Sequence, residues 1–492
     1  MVSIRVSTKN GELQGTAADG TISWKGIPYA QPPVGNLRFR APQPPQAWEG
    51  IRDASQFGPV CPQPGRSAEG IFGSRTGQPA PSEDCLYLNV WAPIADAPSY
   101  PVMVWIHGGA FVTGSGSMSL YDGATLARNG SVVVVTINYR LGPFGFLHLS
   151  PFGEELASNA GLLDQIAALR WVQDHIRAFG GDPDNVTIFG ESAGAMSIAA
   201  LLAMPAAKGL FRKAVLQSGA SQALSPAHAE GIAAALLNEL GADTSDRDRL
   251  FTLSTEDIAA AANRLYEKIG SAGVSMLFQP VVDGKWLPEE PLKAIEHGAA
   301  EGVAMMIGTN RDEGAYFVRG PEHLISAEAA AQAIHAMTGL SNAAELSGRY
   351  PVSIEGQAQL MTDLYFWRSA VQYASGQAGQ GTVWMYRFDW CLPGHPFLGQ
   401  AVHGAEIAFV FHNLQLMENL NIELTEEMER LARMMQEAWV SFARSGNPST
   451  PELQWPGYEP KERATVIFDR EITVVQDPDA EKRRLFITAV KN

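Results

Sequence analysis

The chain predicts an α/β fold: one large, mostly parallel central sheet flanked by helices, with a β-rich N-terminal segment and helical insertions around the site. Three observations carry this. From about residue 101, strand-like runs alternate with stretches of helical spacing, the order that builds parallel strands joined by helical crossovers. Val132–Ile137 is almost unbroken in β-branched residues, as in a strand covered on both faces. Gly190-Glu191-Ser192-Ala193-Gly194 lies between the strand-like Asn185–Phe189 and an Ala/Leu-rich run to Leu202, so a tight turn joins a strand to a helix there.

In the first hundred residues Ser3–Ser7, Glu12–Thr16, Thr21–Gly26 and Leu86–Trp91 read as short strands between Gly/Pro-rich turns. Residues 61–81 read as irregular loop. Val102–Ile106 reads as a buried strand. Ala160–Ala178 has helical spacing, with Leu162, Ile166, Leu169, Val172 and Ile176 on one stripe. Val186–Phe189 predicts a strand, 193–203 a helix and Ala214–Gln217 a strand. Residues 224–300 and 320–376 read as helical insertions, separated by the strand Val303–Gly308 and followed by the strand Val383–Phe388. Thr425–Arg444 predicts a long helix, with Thr425 as its cap. The 492 residues read as a single domain, 1–492, whose insertions shape a pocket.

The net charge is −16, which argues against nucleic acid or an anionic membrane surface as partner. The longest apolar stretch, Ala193–Ala207, is interrupted by Ser197 and Pro205 and is too short to span a bilayer. The N-terminus has no long apolar core. The three cysteines, Cys61, Cys85 and Cys391, match no zinc spacing and make no disulfide framework. A cytoplasmic monomer or homodimer needing neither metal nor organic cofactor is expected.

Glycine at 190 and 194 removes the Cβ atoms that would crowd so tight a turn, which lifts the hydroxyl of Ser192 clear of the sheet edge. A nucleophilic serine needs a base, a carboxylate to orient it, and N–H donors for the developing oxyanion. Among ten histidines, His403 follows the late strand 383–388, with His395 and His412 as competitors. The acid belongs after the strand 303–308, where Asp312 and Glu313 stand side by side, and the residues alone do not choose between them. His107-Gly108-Gly109-Ala110-Phe111 directly follows a strand. It offers closely approaching backbone N–H groups, to which Ala193 adds one more.

Longer stretches extend these motifs. The run Phe179–Gly194, Glu83-Asp84-Cys85-Leu86-Tyr87-Leu88-Asn89-Val90, Gly26–Ala30 and Arg38-Phe39-Arg40 together resemble the type-B carboxylesterases, the carboxylesterase/cholinesterase family of the α/β-hydrolases. In length the chain is nearest to the bacterial para-nitrobenzyl esterases. The resemblance implies hydrolysis of short- to medium-chain carboxylic esters through an acyl-enzyme, with Ser192 as nucleophile, Glu313 as acid and His403 as base. It places the oxyanion donors on Gly109, Ala110 and Ala193, and implies ion pairs Arg38–Glu83 and Arg140–Asp164. Glu191, Ser218 and Gly108 are candidate supporting residues.

The chain departs from the cholinesterase pattern in one respect. Its segment 61–85 has no tryptophan, only Phe72, which argues against choline esters held by cation–π attraction. Family members form a disulfide where Cys61 and Cys85 fall; in a reducing cytoplasm a free pair is at least as expected. The competing readings are a lipase for longer acyl chains and a non-catalytic binding protein of the same family, the latter opposed by the presence of Ser192, Glu313 and His403.

Overall fold

Thirteen strands form one sheet among the described residues. They are β1 (Val2–Thr8), β2 (Gly11–Ala18), β3 (Thr21–Pro28), β4 (Ile51–Asp53), β5 (Tyr87–Pro93), β6 (Tyr100–Ile106), β7 (Val133–Ile137), β8 (Gly181–Glu191), β9 (Lys213–Gln217), β10 (Ala304–Asn310), β11 (Val383–Phe388), β12 (Ala464–Phe468) and β13 (Thr473–Gln476). The structure, a computed structural model, describes residues 2–64, 79–94, 99–242, 247–269 and 276–487; Phe72 lies outside them. The strand order is β1-β2-β3-β5-β7-β6-β8-β9-β10-β11-β12-β13, with β4 beside β2. Neighbours from β7 through β12 run parallel. The flanks β1-β2-β3-β5-β7 and β12-β13 are antiparallel.

Alternation along the central strands makes two cores. In β6, Val102, Val104 and Ile106 join one buried cluster, while Met103 and Trp105 join the other. The helices Ala160–His175 and Ala193–Ala203 cover the first face, and Glu426–Ser445 covers the second. A sheet covered on both faces needs apolar residues at every position, which is the property of Val132–Ile137 that the sequence displays. The stripe Leu162, Ile166, Leu169, Val172 and Ile176 is buried throughout. Thr425 caps its helix by accepting the N–H of Met428 at 3.3 Å.

The elements differ from expectation where backbone chemistry intervenes. The helix from Ala160 ends at His175, a 3₁₀ turn runs over Ile176–Phe179, and Gly180 closes it at φ 83°. β8 begins at Gly181 rather than Val186: its pairing with β6 shifts register between Tyr100 and Val102, and Pro183, which has no N–H to give a ladder, falls within that irregularity. The first insertion consists of the helices Pro226–Glu239, Arg247–Thr252, Thr255–Ile269 and Pro291–Glu296, but 277–290 is not helical. Cys61 and Cys85 are disulfide-bonded rather than free. Their Cα atoms lie 5.0 Å apart, within bridging range.

Both expected ion pairs form. Arg38 donates to Glu83 through Nε and Nη2 at 2.7 and 2.5 Å. Arg140 donates to Asp164 through Nε and Nη2 at 2.8 and 2.7 Å, in a site from which water is almost excluded. Removing one partner of a pair this deep strands the other charge. Asp164→Ala is therefore expected to cost about 3–5 kcal/mol. Asp174→Ala, which removes the exposed partner of Lys9, should cost less than about 1 kcal/mol. Urea unfolding of the two variants checks this, and equal losses would contradict it.

Candidate active site

The turn after β8 is as tight as its glycines imply. Ser192 sits at φ 54° and ψ −122°, a backbone state that a non-glycine residue adopts only when its surroundings force it. A Cβ on Gly190 would lie 2.6 Å from the carbonyl oxygen of Ile106, and one on Gly194 only 2.0 Å from it. Ser192 N–H donates to the carbonyl of Gln217 at 2.9 Å, and the Ser192 carbonyl accepts the N–H of Met196. The hydroxyl is left facing a cavity of about 370 Å³.

The loop after β6 runs along the same cavity. His107 stacks on Tyr139 with ring centroids 4.4 Å apart, and Tyr139 donates its hydroxyl to the His107 carbonyl at 2.7 Å. Burial pushes the His107 pKa down to about 4, so this ring is neutral. A Cβ on Gly108 would lie 2.7 Å from Glu191 Oε2 and 3.0 Å from Ser192 Cβ. Gly109 and Ala110 both have positive φ, 110° and 52°. Gly108, Gly109, Ala110, Glu191, Ser192 and His403 all line the cavity, and Ala193 begins the helix behind it.

The structure separates the two adjacent acids. Glu313 is fully buried. Its Oε2 lies 2.6 Å from His403 Nδ1, and its Oε1 accepts the N–H of Asn310 at 2.7 Å. Asp312 instead accepts the N–H of Ala401 and bonds Arg311. The competing histidines are engaged elsewhere: His395 accepts the N–H groups of Phe397 and Leu398, and His412 Nε2 lies 2.8 Å from Glu429. Ser192 Oγ makes no hydrogen bond among the described residues. His403 Nε2 stands 3.1 Å from Glu191 Oε1, within ion-pair distance but without hydrogen-bond alignment. Ser218 packs beneath the turn, fully buried at φ 52°, and its Oγ has no partner among the described residues.

A second layer was not singled out in the sequence. Glu406, fully buried, accepts from Asn310 Nδ2 at 2.7 Å and from Gln217 Nε2 at 3.0 Å; Gln217 in turn accepts from Trp439 Nε1. The signals available were modest: Asn310 lies in the same short run as Glu313, and Glu406 stands three residues after His403. On the insertion side, the helical stretch Thr362–Trp367 has π-helical turns. Thr362 Oγ1 accepts the N–H of Gly314 at 2.9 Å, and the ring of Phe366 lies 4.8 Å from that of His403. Met118, Met196, Met361 and Phe317 complete an apolar wall.

Three buried carboxyl groups thus surround one imidazole. Burial pulls the His403 pKa down, but Glu191, Glu313 and Glu406 outweigh it and raise it to about 9. Burial lifts Glu191 to about 8, against the attraction of His403.

A mixed sheet with a parallel centre and a serine on a strand–turn–helix elbow defines an α/β-hydrolase. The carboxylesterase family profile matches residues 2–486, and the chain belongs to that family. It is 51% identical over 480 residues to the para-nitrobenzyl esterase of Bacillus subtilis (strain 168), covering 97% of each chain. It is 35% identical to the phenmedipham hydrolase of Pseudarthrobacter oxydans over 94% of each. A solved structure of a PNB esterase superposes with a TM-score of 0.94 at 51% identity, covering 98% of this chain and 99% of that one. A Geobacillus stearothermophilus carboxylesterase superposes with a TM-score of 0.87 at 41% identity, over 98% and 99%. The chain is accordingly a carboxylic ester hydrolase acting on small-molecule esters. No helix among the described residues is long and apolar enough to cross a membrane.

Neutral imidazole is the form able to accept a proton. On the proposal that His403 is the base, activity should therefore rise with pH as it loses its proton near pH 9. Glu191→Gln removes a charge that favours the imidazolium, so it should move the acid limb of kcat/KM to lower pH. A limb that stays in place would contradict this electrostatic reading.

Proposed function

We propose that the chain hydrolyses short- to medium-chain carboxylic esters through an acyl-enzyme formed on Ser192. The observation that carries this is the 2.6 Å contact between Glu313 and His403 Nδ1 at the wall of the cavity that Ser192 faces. Glu313 holds the Nδ1 proton, which leaves Nε2 to take the Oγ proton as Ser192 attacks the ester carbonyl. As the tetrahedral intermediate forms, its oxyanion is held by the N–H groups of Gly109, Ala110 and Ala193; each such donor contributes about 10²–10³ in rate where measured. His403 then protonates the leaving alcohol. Water, deprotonated by the same imidazole, attacks the acyl-enzyme and releases the acid. Above its raised pKa of about 8, Glu191 supplies negative potential beside the imidazolium, and Gly108 lets that carboxylate approach.

The preference for shorter acyl chains rests on the cavity. At about 370 Å³ it lies near the lower end of the roughly 300–1,000 Å³ typical of small-molecule sites. Its methionine and aromatic wall suits uncharged acyl and alcohol groups.

Ser192→Ala should lower p-nitrophenyl acetate turnover by about 10⁴-fold or more while the near-UV spectrum is kept. Glu313→Gln should cost far more rate than Asp312→Asn, and the reverse order would reassign the acid. Across p-nitrophenyl esters, kcat/KM should peak between acetate and octanoate; a maximum at palmitate would favour the lipase reading.

A further inference from the structure

His403 lies in the chain between β11 and the short helix Ile407–Phe411, where 391–403 has no regular secondary structure. A general base on irregular backbone needs something else to fix it, since small displacements of a reacting group are costly in rate. The attachment is a reciprocal pair of bonds two residues upstream. Asp312 N–H donates to the Ala401 carbonyl at 3.0 Å, and Ala401 N–H donates to Asp312 Oδ2 at 3.1 Å. Ala401 is fully buried, so water does not replace either bond. On the other side of the same point, Asn310 Nδ2 donates to the Val402 carbonyl at 2.7 Å.

Asp312 is itself anchored. Arg311 Nε donates to Asp312 Oδ2 at 3.1 Å, and Arg311 N–H donates to the Phe388 carbonyl at 2.9 Å at the end of β11. The Arg311 guanidinium also stands 3.9 Å from Asp389, which Arg387 grips with two bonds. The carboxylate that bonds Ala401 is thus tied to two strand ends, those of β10 and β11. No hydrogen bond or ion pair joins Asp312 to His403 among the described residues.

We propose that Asp312 is a positioning residue for His403: by bonding both backbone groups of Ala401 it locks the loop that carries the imidazole onto the turn that carries Glu313. This rests on His403 being the general base. The part Asp312 plays is that of a hydrogen-bond acceptor on a short stem, not of a charge, so asparagine should substitute for it and alanine should not.

The test compares Asp312→Ala, Asp312→Asn and His403→Ala with the unaltered protein, using p-nitrophenyl acetate across pH. Asp312→Ala should lower kcat about 10- to 100-fold with KM within about twofold, and Asp312→Asn should recover most of the loss. The acid limb of kcat should move to lower pH in Asp312→Ala, because the imidazole drifts from the carboxyl groups of Glu191, Glu313 and Glu406 that face it. A general loss of folded protein would lower kcat at every pH without moving the limb. If Asp312→Ala does not fold, Asp312→Ser, whose shorter side chain falls short of Ala401, takes its place. A histidine NMR titration in a Ser192→Ala background reads the same shift without turnover. Wild-type kcat and an unmoved limb in Asp312→Ala overturn the proposal, as does an Asn variant as slow as the Ala variant. If His403→Ala keeps its activity, the base assignment itself falls.

Discussion

The carbonyl oxygen of Ile106 leaves no room for a side chain at position 190 or 194, lying 2.6 and 2.0 Å from where those Cβ atoms would stand. Much of the site depends on this contact. β6 and β8 are parallel neighbours with Ile106 opposite Gly190, so their C-terminal ends emerge side by side. One leads into Gly108–Ala110 and the other into Ser192. The same proximity brings Gly108 against Glu191 and Ser192. Ser192 and the loop that faces it are therefore placed by one pair of adjacent strands, and the unfavourable backbone angles of Ser192 are held by strand pairing, by its bond to Gln217 and by the helix that follows.

The next strands along the sheet supply the remaining groups in order. β9 ends at Gln217, β10 at Asn310 and β11 at Phe388. Gln217 and Asn310 both donate to Glu406, and Asn310 N–H also bonds Glu313. Glu406 thereby joins two strand ends, while Glu313 reaches His403. Carboxyl groups this deep are tolerated because each is hydrogen-bonded or stands beside the imidazole. Their common effect is to raise the proton affinity of His403, which strengthens the neutral imidazole as a proton acceptor but keeps the ring protonated to higher pH.

The parallel centre of the fold was legible because burial on both faces leaves a direct mark in the sequence, as in Val132–Ile137. The elbow was legible because its glycines answer a steric demand. The glycine loop 107–111 was legible from its position after a strand, and the residues alone left His403 as one of several histidines, which the family resemblance narrowed. The residues alone did not separate Glu313 from Asp312, and the family resemblance pointed to Glu313: two adjacent carboxylates differ only in where the chain turns, and that turn is set by contacts with Ala401 and Thr362, remote in sequence. Asn310, Glu406 and Gln217 escaped notice for the same reason, since a buried polar network is defined by partners and not by spacing. The extra residues of β8 were hidden by Pro183, which the ladder bypasses: Gly181 pairs with Tyr100, and pairing resumes at Val186 opposite Val102.

The division between sheet and insertions bears on how specificity is built. Ser192, Glu313 and His403 stand at strand ends or on short loops tied to them, whereas Met361, Phe366 and Phe317 come from segments beyond β10. The two parts meet where Gly314 packs against the helix 354–361: a Cβ there would lie 2.0 Å from the Ala358 carbonyl oxygen, and Thr362 bonds Gly314 N–H directly. π-Helical turns recur at functional sites because they redirect side chains within a helix. Here they occur over Thr362–Trp367, where they aim Phe366 at His403 while Thr362 holds the turn that carries Glu313. This wall of the cavity is thus hydrogen-bonded to the turn that carries Glu313. Changes in wall side chains such as Met361 can reshape the pocket without touching that bond, whereas changes at Thr362 or Gly314 act on the pocket and on the orientation of His403 together.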